Sequence, residues 1–346
     1  MIFTATLTAL AAVTFPGGNV SDLAKSIAEA TKQGVVIEAG AGERAPRFSF
    51  DPSNLNEMAR QIQTSTGFRR SPGGEHVFHH GRLGGHLFGV NLVNRLGNSN
   101  SWIQGGAVPE NFLNDGKVTL QTRSGQSHTL GSLPAGLLNK PLQTHWIFDR
   151  AVFKAWVTDM PALDFMNMVA KAIGGKVLQR QDRYVLDIDA AEIQRRAQAS
   201  LAFVQADRRY AGSSLRDRLE VELSRAALGA IGGAQVNALL ATPSGRLQME
   251  LPASMRPALS AYIQAVLSDA TQEVQMRQSE DRQSQLWESF VREQRRGGGG
   301  GGNANRLRMV DPRILGIAEI DARFRVTVQL VTRNQLGQAG PPVRVP

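Results

Sequence analysis

The sequence predicts an α+β fold, and three observations carry that expectation. Apolar residues spaced three and four apart, the period of one helical face, recur in segments that alternate with short strand-like runs. Glycine stands behind each of the three clearest helical segments, at Gly34, Gly67 and Gly174. Near the C-terminus the period changes to two over a sustained run, the signature of a strand with one buried face. With 346 residues, 42% of them hydrophobic and 20% charged, the chain has material for about two or three compact units and is too apolar to be disordered.

The opening stretch Ile2 to Val13 is apolar and contains Ala9-Leu10-Ala11, a small-x-small pattern of the kind cut in secretory signals. Residues 1–11 are therefore expected to be a signal peptide, leaving Ala12 first in the mature chain, although no Lys or Arg precedes the apolar run. A membrane span needs about 20 apolar residues, and no later segment approaches that length, so no stable span is expected.

Residues 12–47 read as a βαβ module: Val13-Thr14-Phe15, a helix carrying Val20, Leu23, Ile27 and Ala30 on one face with Ser21 and Asp22 at its start, then Val35-Val36-Ile37. Residues 48–150 read as a loop-rich α+β region. Phe48-Ser49-Phe50 leads to a helix with Leu55, Met58 and Ile62, and Gly, Asn and Ser dominate after Gly67 around short runs such as Lys117 to Thr122. Residues 151–190 form the cleanest unit, a βαββ module. Val152 to Val157 precedes Asp159-Met160-Pro161 and a helix with Leu163, Met166, Ala170 and Ile173; Lys176-Val177-Leu178 and Tyr184-Val185-Leu186 follow. Phe165, Met168 and Val169 make that helix apolar around most of its girth, so Met166 and Ile173 are expected inside and Phe165 against a second layer.

Residues 191–296 read as mainly helical, with Leu215, Leu219, Leu223 and Ala226 on one face. Residues 297–305 hold six consecutive glycines and read as a flexible linker. In residues 306–346, a C-terminal β-hairpin, Ala318, Ile320, Ala322, Phe324, Val326, Val328 and Leu330 alternate with polar residues, and Asn334 to Gly337 is the expected turn, with Val343 and Val345 pairing back. A tethered hairpin either docks on its own body or adds to another chain's sheet edge, which makes Phe324, Val326, Val328 and Leu330 the candidate partner-binding residues.

Asp159-Met160-Pro161-Ala162-Leu163, with Met166, Val169-Ala170-Lys171-Ala172-Ile173 and Gly174-Gly175-Lys176-Val177, resembles the short N-terminal domain shared by secretins and TonB-dependent receptors. Phe15-Pro16 to Val36-Ile37 is similar but looser, with Gly17-Gly18-Asn19 in place of a tight strand-to-helix turn. The resemblance covers about residues 13–38 and 152–188, and no barrel-forming secretin segment is visible. It implies a periplasmic or envelope-associated module that makes protein–protein contacts and carries no catalytic residues.

Absence of cysteine excludes disulfides, thiolate nucleophiles and cysteine-ligated zinc or iron–sulfur sites. The net charge of +9 favours polyanions, but the basic residues are dispersed, and the pairs Arg69-Arg70, Arg195-Arg196 and Arg295-Arg296 stand isolated along the chain. Nucleic acid is not the expected partner. Glu75-His76-Val77-Phe78-His79-His80 with His86 is the densest set of potential metal ligands, and His76, His79, His80 and His86 are the candidates. On a glycine-rich loop, with no helical two-histidine spacing, they are expected to be solvated and metal-free.

Gly40-Ala41-Gly42-Glu43-Arg44-Ala45 matches a dinucleotide fingerprint only superficially, because Pro46 follows where a helix would have to open. The carboxylate pairs Asp187 with Asp189 and Glu319 with Asp321 lie on strand patterns as solvated faces, and Trp102, Trp146, Trp156 and Trp287 are too dispersed for a stacking stripe. The expected function is a non-catalytic protein–protein interaction component of an envelope assembly, with self-association possible and no cofactor. A metal-binding protein or enzyme using residues 75–86, and a basic nucleic-acid-associated protein, are the rival readings.

Overall fold

The structure, a computed structural model, describes residues 12–81, 107–206, 214–265 and 314–332, and these form an α+β fold. They fall into two compact units, Met1–Ser200 with Val236–Pro243, and Leu201–Gln235 with Ser244–Pro346. No helix among the described residues is long and apolar enough to cross a membrane. The expected signal peptide, glycine linker, Asn334 to Gly337 turn and His86 lie outside the described residues.

The first unit contains β1 (Val13–Phe15), β2 (Gly18–Asn19), α1 (Val20–Thr31), β3 (Val35–Ile37), β4 (Arg44–Ala45), β5 (Phe48–Phe50), α2 (Leu55–Thr66), β6 (Arg69–Arg70) and β7 (Val77–His79). Farther along come β8 (Leu113–Asn114), β9 (Lys117–Gln121), β10 (His128–Thr129), β11 (Leu142–Thr144), β12 (Val152–Pro161), α3 (Ala162–Ile173), β13 (Gly175–Gln179), β14 (Tyr184–Ile188) and most of α4 (Ala190–Ala206). The main sheet runs β6-β7-β3-β12-β9-β8, with β10 also on β12. Residues 12–47, 48–150 and 151–190 share it, since β3, β7 and β12 come one from each stretch. Strands of three residues such as β3 and β7 bury little alone, and only the composite sheet gives α1, α2 and α3 a surface to cover.

Local chemistry sets the helix ends. Asn19 caps α1: its side chain accepts from Ser21 N, and Asp22 accepts from Asn19 N at 3.2 Å, a reciprocal box. The start is thus one step earlier than Ser21 and Asp22 suggest. Asn54 caps α2, and Gly67 at φ +80° ends it. α3 stops at Gly174, φ +87°, where an added Cβ would stand 3.3 Å from Arg196 Cζ. Glycine there serves both the left-handed turn and the close approach of that guanidinium.

The core is built from Phe15, Val20, Leu23, Ile27, Ile37 and Phe50 with Met58, Ile62 and Phe78. In α3, Phe165, Met166, Val169, Ala170 and Ile173 are buried, and Phe165 meets Phe112 and Phe153 at ring-centroid distances of 5.9 and 6.1 Å, the second layer its pattern predicts. Strand β12 carries a bulge between Val157 and Met160, with Asp159 at φ +50°.

The second unit holds α5 (Leu215–Ala230), the sheet β15 (Arg246–Glu250), β16 (Ile314–Asp321) and β17 (Val326–Thr332), and a helix over 256–265; α6 (Gly233–Leu240) runs across the division in the chain. The buried face of α5 is Leu219, Leu223, Ala227 and Leu228, while Leu215, expected on it, is exposed. β15 lies inside the stretch read as helical, because Arg246-Leu247-Gln248-Met249-Glu250 alternates and pairs with β16. The hairpin also differs from expectation. Its turn is at Ala322 to Arg325, inside the alternating run, with Phe324 at φ +57° and Asp321 Oδ1 accepting from Arg323 N and Arg325 N.

Candidate functional site

Among the described residues, a buried network of ionisable side chains forms where the start of α4 meets the end of α3 and strands β3 and β7. Arg196 is 1% exposed, and each of its three guanidinium nitrogens donates a hydrogen bond. Nε donates to Glu192 Oε1 at 2.6 Å, Nη1 to Glu38 Oε2 at 2.9 Å, and Nη2 to the carbonyls of Ala172 and Lys171 at 2.9 and 3.3 Å. It therefore also caps the C-terminal end of α3, where unpaired carbonyls carry the negative end of the helix dipole.

Glu192 carries the network outward. At i+4 it takes Arg196, and at i+3 it takes Arg195, whose Nε and Nη2 reach its two oxygens at 2.9 and 2.7 Å. Burial alone would raise Glu192, but the hydrogen bonds from Arg195 and the charge of Arg196 hold its carboxyl below the ordinary value. Glu38 goes the other way: burial pushes it up against the pull of Arg196.

His79, fully buried on β7, sits 3.8 Å from Glu192 Oε1, and its Nδ1 accepts from Gly81 N at 2.7 Å. Burial, then the charges of Arg196 and Arg195, depress it to about 2, so it is neutral and forms no ion pair. His80, the residue after the end of β7, stacks on Phe68 at 4.3 Å and faces Glu43. His76 is half-buried, and burial lowers it.

Of these three histidines only His79 is a strand residue, with His76 in the turn before β7 and His80 just past its end, and none of the three is the fully solvated loop residue expected. Among the described residues no three or more His, Asp or Glu donors converge as metal ligands.

The other buried cation is Lys154 on β12. Its Nζ donates to Asn19 Oδ1 at 3.2 Å, to the Ala41 carbonyl at 3.1 Å and to the Gln126 carbonyl. Burial lowers it to about 8, against the attraction of Glu43 and Asp22. The Gly40–Ala45 loop thus supplies a carbonyl to a lysine and opens no helix.

Of the candidate partner residues, Phe324, Val326 and Val328 are 0%, 6% and 6% exposed. The hairpin pairs with β15 of its own chain, so these side chains fill a core and present nothing to a partner; Leu330 lies on β17, its side chain outside the described set. Asp189 Oδ1 accepts from Glu192 N at 3.1 Å near the start of α4, and Glu319 pairs with Arg246 at 2.9 Å, so both carboxylate pairs serve structure. Trp146 Nε1 donates to the Leu240 carbonyl at 2.8 Å, Lys25 lies 5.4 Å over Trp156, and Trp102 and Trp287 are outside the described residues.

Sequence reading missed a cavity of about 430 Å³ lined by Arg60, Arg69, Arg70 and Arg195. Asn56, Ala59, Gln63 and Pro72 complete its wall. Two arginine pairs that stand isolated along the chain each contribute here, because α2, β6 and the first turns of α4 meet; the doublets were the available signal. No protein-family profile, curated protein or solved structure matches the chain.

Proposed function

We propose that the protein is a non-catalytic component of a bacterial envelope assembly, working by protein–protein contact, with β13 as the edge to which a partner strand adds. The open edge carries this reading. Arg180 N donates to Arg183 O at 2.8 Å and Asp189 N to Gly174 O at 3.3 Å, at the two ends of the β13–β14 ladder. Hydrogen-bonded pairs alternate in an antiparallel ladder, so Gly174, Lys176, Leu178 and Arg180 bond to β14. Gly175, Val177 and Gln179 direct their N–H and C=O away from it, and among the described residues no strand takes them up. Val177 and Leu178 are half-buried, and Lys176 and Arg180 bring positive charge to the edge, which suits an extended acidic partner segment. Further support comes from Arg196, Glu38, Glu192 and Lys154, which are tied to one another or to carbonyls as structural groups.

The test uses a photo-crosslinking residue at Gln179 in cells, followed by fractionation. An adduct of defined mass in the envelope fraction is expected, lost on Val177→Pro, which removes an outward N–H and leaves β14's partners in place. Protein confined to the cytosol, or an adduct indifferent to Val177→Pro, refutes the proposal.

A further inference from the structure

We propose that the cavity lined by Arg60, Arg69, Arg70 and Arg195 binds a dianionic phosphate group, a site independent of the β13 edge. The charge balance points to that class of ligand. Arg60 is forked onto Glu57 at 2.6 and 2.8 Å, and Arg195 onto Glu192 at 2.7 and 2.9 Å, so these two cations are already matched from behind. Arg70 Nη2 has only the neutral Asn56 Oδ1, at 3.1 Å. Arg69 has no carboxylate partner among the described residues, and none of the described wall is acidic. Two positive charges are left uncompensated, which a phosphomonoester or diphosphate dianion balances and a single carboxylate does not. Guanidinium forks also match phosphate oxygens two at a time, and the Asn56 and Gln63 amides add donors to the same wall.

The site is preorganised, which separates it from a merely basic surface. Glu57 holds Arg60 and also accepts from Gln61 Nε2 at 2.8 Å, while Gln61 Oε1 accepts from Asp51 N at 2.8 Å, tying the carboxylate to the chain before α2. Glu192 holds Arg195 and is itself pinned by the buried Arg196. The stem of Arg69 runs against Gly81, where an added Cβ would lie 3.0 Å from Arg69 Cδ. Four cations so placed lose little freedom when an anion arrives, and binding keeps that advantage. A volume of about 430 Å³ admits a phosphate group together with part of what bears it.

The experiment is calorimetric titration of the full chain with inorganic pyrophosphate, followed by cosedimentation with phosphatidylcholine vesicles with and without phosphatidic acid. Pyrophosphate is expected to saturate at one equivalent. Arg69→Gln and Arg70→Gln should each weaken it by about tenfold or more, and Arg70→Lys by several-fold through loss of the fork. Arg123→Gln, an exposed charge that lines no part of the cavity, should leave binding unchanged, as should Val177→Pro, so failure of this site and failure of the β13 reading are distinguishable. Thermal unfolding of each variant guards against loss of fold. Phosphatidic acid vesicles that bind and are released by pyrophosphate identify a lipid headgroup as the source; pyrophosphate binding alone identifies a soluble phosphate. Absence of saturation by pyrophosphate, or equal loss in Arg123→Gln and Arg69→Gln, overturns the assignment.

Discussion

Replacing Arg196 with methionine removes a buried cation but keeps an unbranched stem of similar reach, so the change isolates the charge. Glu192 still has Arg195 as a partner, at 2.7 and 2.9 Å. Glu38 loses its only ion-pair partner among the described residues while it is 6% exposed, and the carbonyls of Lys171 and Ala172 lose their donor. Breaking a buried pair by removing one partner costs about 3–5 kcal/mol, because the remaining charge is stranded. In a unit of this size that lowers Tm by about 6–20 °C. Glu38→Gln should cost only about 1–2 kcal/mol, since Arg196 keeps Glu192 and two carbonyls.

The double variant decides the matter. If the cost of Arg196→Met is mainly the stranded carboxylate, adding Glu38→Gln should restore about 1–3 kcal/mol of it, a coupling read from urea or thermal unfolding of the four proteins. Additive losses, with no recovery in the double variant, would refute the idea that Glu38 is held ionised by Arg196. A single Arg196→Met protein within about 0.5 kcal/mol of the parent would refute the burial argument as well.

Two further outcomes follow from the same geometry. Met166→Ala and Ile173→Ala, at positions 0% and 4% exposed, should each cost about 2–5 kcal/mol in unfolding experiments, and Leu55→Ala, half-buried at the start of α2, should cost less. His79 is held at about 2 when folded, against an ordinary value of about 6.5, so only the unfolded chain takes up this proton between those values. Stability from His79 is therefore complete above about pH 6.5 and is lost as pH falls, by about 1.4 kcal/mol at pH 5.5. His79→Asn, which keeps an acceptor for Gly81 N–H, should remove that slope, while the raised Glu38 acts in the opposite sense and is common to both proteins.

What the sequence made legible depended on whether a pattern was local. The α3 face was readable because its period, its following glycine and its burial all agree, and so was the α+β class. The C-terminal run misled because its alternation continues in phase through a turn: Ala322 and Phe324 are buried like strand residues although they lie between β16 and β17. β15 was missed because Arg246 to Glu250 is short, polar and paired with a strand far along the chain. The histidines misled for a different reason. β7 is flanked by β6 and β3, and its three residues are all buried, so no alternation separates His79 from a loop residue.

The arginine cavity shows why a dispersed basic composition is a poor guide to where charge collects. Glu192, Arg195 and Arg196 occupy i, i+3 and i+4 of α4, neighbouring positions on a helix, yet one arginine is buried and the other exposed. The carboxylate between them lets a single helical turn serve both environments: inward it neutralises Arg196, which also caps α3, and outward it aims Arg195 at the wall shared with Arg60, Arg69 and Arg70. Glu57 does the same for Arg60 without reaching the core, since its side-chain hydrogen-bond partners among the described residues are Arg60 and Gln61. The two carboxylates therefore differ in kind. Removing Glu57 leaves the described buried charges as they were, whereas removing Glu192 loosens the cavity and leaves Arg196 with Glu38 as its one remaining ion-pair partner among the described residues. Site and core are joined through that one side chain, and a change there cannot be confined to either.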